Sequence, residues 1–569
     1  MIMKKNASKI ILLFFVQLLA SCSGILDKGP LDKFTSKEVW DSPELAQSFL
    51  YSTLNSASSY LILHDNWSDN DVILNAGNAT FNKEQITSYY DAGWNVYSQI
   101  RKCNLLLEQM QVNTSFLESD RKYLIAQAKA LRAMIYFSRA RLFGKLMIVD
   151  RVIDQNENME FPRTNTIKET YDFILRDLND AVVDLPITLP NQQGMITRGV
   201  VYALIAEVAL HGAAYIEDGQ DDYYAMAKKA SEDLFALGVY ELDSDYGKMF
   251  NDFNYAMNSK EIIFAQWRHE TNTTFDQTWM QTLVPNVNND KLHEFAKPAL
   301  KDDFAGWIEM FPSSDLVSEY QVTDDDGLVK DWDQTSYYKN YLSRGGYVSN
   351  AIYKNRDNRF YETIVYDSTK YFNSIVTMRD KGNLHWNSRI SGFSGLSLTG
   401  YIYRKGVYTN KPLWYSDPTY YHYVILRLGR SYLNYAEIML RLGNVEKAIQ
   451  FINKTRVVHG GLSELPLDLS LEEAWNAYKR ERRVELVHEG DRYWSLLRWG
   501  KAEGKESVDE LKKVHTSISI SDDGKSFEMI PLPYFSSENE RVFTKKRYLL
   551  PVPQEERVNN PSLDQNEGW

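Results

Sequence analysis

From Pro43 to Gly238, apolar residues recur every three or four positions, a period that predicts helices. Gly93 to Met110 sets Val96, Ile100, Cys103, Leu107 and Met110 on one seam. The next segment aligns Ala128, Leu131 and Ile135 and offers Gly144 as a C-cap. Thr170 to Leu185 reads as a helix stopped by Pro186. Arg198 to Tyr215 is crowded with Ala203, Ala206, Ala209, Ala213 and Ala214, small residues that let helices approach closely, and Tyr223 to Gly238 completes the pair. Between about Gly247 and Tyr423 the rhythm weakens, and EIIFAQW (261–267) reads as a strand. The helical period returns over 435–456, where Ala436, Gly443, Ala448 and Ile452 are placed as in a helix–turn–helix unit.

The stretch that organises the chain is Ala474 to Trp499. Leu471, Trp475 and Tyr478 share a helical face that continues through Arg482, Glu485 and Glu489, so an apolar stripe turns ionic. Charges on an inner face need partners. Arg482 and Glu485, three residues apart, are expected to pair along the helix, with neighbouring helices supplying the rest. Gly490 is expected to stop this helix and DRYWSLLRWG to form a second one ending at Gly500. The zinc signature would need a histidine four residues after His488, where Arg492 stands, so the stretch reads as structural.

Composition narrows the function. A hydrophobic share of 44% with 25% charged residues is ordinary for a globular protein. An acidic chain without a basic block excludes nucleic acid as a partner. Tyr and Trp together number 50 against 25 Phe, and aromatics with a polar handle suit wet surfaces. At the start, Lys4, Lys5 and Lys9 precede an apolar run from Ile10 to Ala20, an export signal too short to span a membrane. Leu18-Leu19-Ala20-Ser21-Cys22 resembles a lipobox ending on the cysteine to be acylated. Removing residues 1–21 leaves 61 bases against 76 acids, a formal charge of −15. The other cysteine, Cys103, then has no intrachain partner and is expected to be a small buried hydrophobe.

ERRVELVHEGDRYWSLLRWG (481–500) resembles the C-terminal signature of the SusD/RagB family, lipid-anchored nutrient-binding proteins of the Gram-negative outer membrane. Trp94, Tyr97, Ile100 and Asn104, NRDNRF (355–360), TGYIYRKG (399–406) and the closing YLLPVPQEERVNNPSLDQNEGW are similar to further family landmarks in register. Gly144-Lys145-Leu146-Met147 departs from the family's Gly-Asp-Val-Pro. The resemblance implies a mainly α fold, with tetratricopeptide-like helix pairs forming a superhelical scaffold beneath a loop-rich binding face. It divides the chain into a signal peptide (1–21), a lipid-anchored tether (22–40), an N-terminal helical part (41–246), an irregular part (247–425) and C-terminal helices and tail (426–569), packed as one unit. It also implies oligosaccharide or polysaccharide as ligand, a TonB-dependent (SusC-like) transporter as partner, lipid attachment at Cys22, and binding without catalysis. Peptide binding and, further off, a lipid-anchored glycoside hydrolase are the alternatives.

The residues add detail. Asp324-Asp325-Asp326-Gly327 and Ser521-Asp522-Asp523-Gly524 lack the carboxylates of a calcium loop and read as turns. No P-loop, Rossmann or Gly-x-Ser-x-Gly pattern occurs, so no cofactor or metal is called for. A sugar site needs aromatic platforms rimmed by amides and carboxylates. Trp67 with Asp69, Tyr89, Trp279 between Gln277 and Gln281, and Trp332 between Asp331 and Asp333 have that setting and are the expected ligand-binding residues.

Overall fold

The computed structural model describes residues 36–62, 65–74, 80–154, 156–189, 194–391, 395–532 and 540–569. The signal segment, Cys22 and most of the tether lie outside these. Ten helices of eleven residues or more build the scaffold among the described residues. They are α1 Pro43–Leu61, α2 Tyr97–Val112, α3 Glu118–Phe143, α4 Ile167–Val182, α5 Arg198–Ala213, α6 Gln220–Ala236, α7 Leu428–Arg441, α8 Val445–Val458, α9 Leu471–Glu485 and α10 Arg492–Ala502. Local chemistry fixes their ends. Ser42 caps α1 by accepting from Leu45 N at 3.3 Å, with Pro43 at the first helical position. Gly144 ends α3 at a φ of +70°, and Ser470 with Glu473 forms a capping box at α9.

Each helix packs on its sequence neighbours from α2 through α6, giving the tetratricopeptide-like scaffold that the family resemblance implies. Gly212 on α5 shows why small residues are needed there. A Cβ at that position would stand 2.7 Å from the Tyr171 ring and 2.8 Å from the Tyr223 ring. The stack does not stop at α6, which packs directly on α7 although the whole irregular part lies between them in sequence. That part leaves the scaffold as β2 (Ile262–Arg268, after β1 at Asp71–Ile73) and returns as its antiparallel partner β4 (Tyr421–Arg427), which runs straight into α7. Between them the chain forms short helices, turns and two-stranded ladders, among them β3 (Met310–Pro312) paired antiparallel with β1. Cys103 is fully buried on α2, and burial pushes its thiol up to about 12. Both aspartate-rich segments form turns, at β-hairpins 322–330 and 516–531.

Two expectations about the organising stretch are corrected. The helix ends at Glu485, five residues before Gly490, so Glu489 lies in the following turn, where His488 and Gly490 both have positive φ. Side chains take the place of further helical turns for the last carbonyls. Glu485 O accepts from Tyr246 Oη at 2.8 Å and Arg427 Nη2 at 3.0 Å, and Glu489 O accepts from Arg430. Arg482 and Glu485 also do not pair with each other. Arg482 binds Asp491 at 2.6 Å, Asn434 at 2.8 Å and Tyr478 at 3.0 Å, while Glu485 is held from other elements.

Candidate functional site

Glu485 sits at the centre of a buried ionic network beneath the irregular part. It accepts from Arg427 Nη1 at 2.6 Å, Arg359 Nη1 at 2.7 Å and His459 Nδ1 at 2.7 Å. Arg427 also holds Glu261 at 2.7 Å and Glu489 at 2.8 Å, and Lys405 binds Glu489 at 2.6 Å. Segments 355–360, 399–406 and 481–500 thus converge, through Arg359, Lys405, Glu485 and Glu489, on one cluster. Glu261, His459 and Glu485 bring ligand atoms within 4.8 Å of one another, a spacing a metal could use. The guanidinium groups of Arg427 and Arg359 already fill that role. Burial opposes a charge on His459, but Glu485 and Glu261 outweigh it and raise its pKa to about 10. A protonated imidazole donates from both nitrogens and cannot ligate a metal.

A second buried cluster fixes the loop that carries β1. Asp65 accepts from His488 N at 2.9 Å and Asn70 Nδ2 at 3.0 Å, and Tyr403 donates to Asp71. Asp65 Oδ1 and Asp71 Oδ2 find no hydrogen-bond partner among the described residues. Burial first, and the charge of Asp71 second, push Asp65 up to about 6. The folded state therefore holds a proton that the unfolded chain releases near 3.8. Stability should fall as pH rises between those values, by about 3 kcal/mol in all, and the loss is complete above about 6. Asp65→Asn removes this ionisation. Denaturant midpoints at pH 4.5 and pH 8 should show the variant gaining on the wild type at the higher pH. An equal difference at both would mean that Asp65 does not titrate there.

On these supports rests an exposed aromatic surface. Trp307 is 56% exposed, Trp414 55%, Tyr415 41% and Trp279 39%. Backbone bonds tie their segments together. Trp307 N donates to Gln281 O at 2.7 Å and Glu309 N to Thr282 O at 3.0 Å, laying 304–310 beside the 3-10 turn Trp279–Leu283. Phe275 N and Asp276 N donate to Asp417 O and Tyr415 O at 3.0 and 3.1 Å, which brings in the 414–418 turn. Gly306 makes the approach possible, because a Cβ there would lie 2.0 Å from Val284 O. Leu74 N donates to Glu309 O at 3.0 Å, continuing the β1–β3 ladder, so the segment after Trp67 adjoins the same surface. Glu309, which accepts from Trp307 Nε1 at 3.1 Å, Asp276 and Asp417 place carboxylates around the rings. A small cavity of about 30 Å³ lined by Trp279, Leu283, Met310, Lys405, His488 and Glu489 lies between this surface and the ionic network.

The residues expected from sequence are dispersed. Only Trp279 belongs to this surface. Trp67 is half-buried, stacked on Phe81 at 4.1 Å and edge-on to Tyr493 at 5.5 Å. Asp69 is buried, bound to Arg492 at 2.7 Å and Arg483 at 3.0 Å. Burial would raise its pKa, but those two guanidinium groups hold it well below the usual carboxylate range, and it braces the β1 loop against α9 and α10. Trp332 is half-buried against Tyr338 at 5.0 Å and Phe527 at 6.1 Å. Tyr89 is 77% exposed, beside the C-terminal segment, where Gln554 N donates to Ser88 O at 2.7 Å. Sequence reasoning missed Trp307, Trp414 and Tyr415. The signals were Gly306 directly before a tryptophan and an aromatic pair just ahead of Asp417-Pro418.

Comparison with known proteins places the chain. The model described as "SusD family" matches residues 260–569, more than half of the chain, and one described as "Starch-binding associating with outer membrane" matches 26–210. A SusD-like protein of Bacteroides ovatus is 22% identical over 520 residues, 85% of this chain and 82% of its own. A SusD-like protein of Bacteroides fragilis superposes with a TM-score of 0.76 at 26% identity, covering 95% of this chain and all of its own. A SusD-like carbohydrate-binding protein of the same species gives 0.71 at 19% identity, covering 92% and 99%. The chain belongs to the SusD family.

Proposed function

We propose that this protein is a surface-exposed outer-membrane lipoprotein that binds oligosaccharide or polysaccharide and delivers it to a TonB-dependent, SusC-like transporter. The observation that carries the reading is the aromatic surface: Trp279, Trp307, Trp414 and Tyr415 are exposed on adjoining turns with Asp276, Glu309 and Asp417 among them. Sugar rings present flat C–H faces to such platforms and hydroxyls to such rims. Family membership and the carbohydrate-binding neighbour support the ligand class. Trp67 and Trp332 pack against neighbouring rings, Asp69 braces the β1 loop through its two arginines, and Tyr89 marks a separate exposed position. The reading is a binder, not an enzyme; a peptide ligand is the alternative, and a face built of aromatics favours glycan over it.

The test uses soluble protein lacking residues 1–22, run in native gels containing each polysaccharide of a panel. One glycan should retard the wild type. Trp307→Ala and Trp279→Ala should keep the wild-type melting temperature and weaken binding by about ten- to hundredfold, the worth of one covered ring. If both variants bind the glycan as the wild type does, the aromatic surface is not the site.

A further inference from the structure

Away from the aromatic surface, a cavity of about 790 Å³ opens between α9 and the short helix Ser314–Glu319, with the C-terminal end of α8 at one side. Its size lies within the range of small-molecule sites. The acids and bases on its wall balance, so the field is not that of a simple anion trap. The exception is Arg456. Its side chain lines the cavity while the residue is only 6% exposed. Its Nε donates to Ser463 O at 2.7 Å and its Nη1 to Gln321 Oε1 at 3.0 Å. These two bonds are to neutral oxygens, and among the described residues no carboxylate forms an ion pair with this guanidinium; Glu481 and Asp357 act on it only through space, while burial works against its charge.

The nearby acids are already engaged. Glu481 accepts from Arg359 at 2.5 Å and Thr455 at 2.7 Å, and Glu319 is shared by Arg480 at 3.0 Å and Arg483 at 3.1 Å. A nearly buried guanidinium with no carboxylate bonded to it is costly, and a ligand carboxylate would complete it with a charge-assisted bond. The same cavity wall presents Asn476, an exposed amide one helical turn before Arg480 on the same face of α9. The Trp499 ring on this wall is 4% exposed, so no aromatic platform is open here. The cavity therefore suits a compact hydroxylated unit held end-on by charge and amide bonds, not a chain laid across rings.

We infer that this cavity is a second binding site, taking the carboxylate of an acidic sugar unit, such as a uronic acid, on Arg456 with its hydroxyls on Asn476. The inference does not depend on the aromatic surface binding glycan. D-glucuronate, D-glucose and acetate, each titrated into the soluble protein by calorimetry, are the probes. Glucuronate should bind, with glucose and acetate at least about tenfold weaker, since each lacks one half of the recognition. Arg456→Gln should lose about ten- to hundredfold in glucuronate affinity, Asn476→Leu severalfold, and Trp307→Ala nothing. Asn476 is exposed, so its variant remains informative if Arg456→Gln melts early. The inference is overturned if glucuronate gives no heat up to about 20 mM, beyond any useful site affinity. It is equally overturned if acetate matches glucuronate, if folded Arg456→Gln and Asn476→Leu both bind as wild type, or if Trp307→Ala abolishes the binding.

Discussion

Glu485→Ala is expected to destabilise the fold by about 3–5 kcal/mol, the range for removing one partner of a buried ion pair. The carboxylate is fully buried, and Arg427, Arg359 and His459 all donate to it. Its removal strands positive charge in a low-dielectric interior, where Glu261 and Glu481 can recover only part of the loss. The pH sign follows from His459. Its pKa of about 10 exceeds the unfolded 6.5, so its pairing stabilises fully below 6.5 and is lost as pH rises through 10. In the variant that loss should shrink, because one of the two carboxylates is gone. Denaturant midpoints at pH 7 measure the main effect, with Lys229→Ala as control. Lys229 is exposed and pairs with Asp233 on the surface, so its loss should leave the midpoint unchanged within error. An unchanged midpoint for Glu485→Ala would mean the network is not what holds the irregular part to the helices.

The network also explains what could be read in the sequence and what could not. Helix identity was legible because burial on a helix leaves a local period. α5 begins at Arg198, where the pattern places it, and β2 lies within one residue of the expected strand. Cys103 was legible for the same reason. The end of α9 was not, because it is set by Arg427, Tyr246 and Arg430, which reach the carbonyls of 485 and 489 from distant segments. Pairing Arg482 with Glu485 assumed that ionic partners are local, whereas in a buried cluster the geometry that compensates desolvation comes from tertiary neighbours. The same limit applies to the aromatics. Trp67 stands in a polar run of Asn, Ser and Asp and Trp307 between Gly306 and Ile308, yet the fold puts Phe81 under the first ring and leaves the second open.

Cys22→Ala is expected to abolish retention of the mature protein in the outer membrane. Cys22 lies outside the described residues, and the expectation rests on the export signal that ends on it. No helix among the described residues is long and apolar enough to cross a membrane. A lipid on Cys22 would supply the attachment. Each buried CH2 contributes about 0.8 kcal/mol; one acyl chain holds only marginally, while two or three make retention stable. Loss of the acylated sulfur should therefore act as a switch, not as a graded weakening. It also alters processing, since a lipobox without its cysteine is not cleaved in the usual place. Cell fractionation with mass measurement separates the two results, a protein released from the outer membrane or a precursor still carrying residues 1–21. Either agrees with lipid attachment at this residue. A variant of mature mass that remains in the outer-membrane fraction as the wild type does would show that something other than Cys22 holds the protein there.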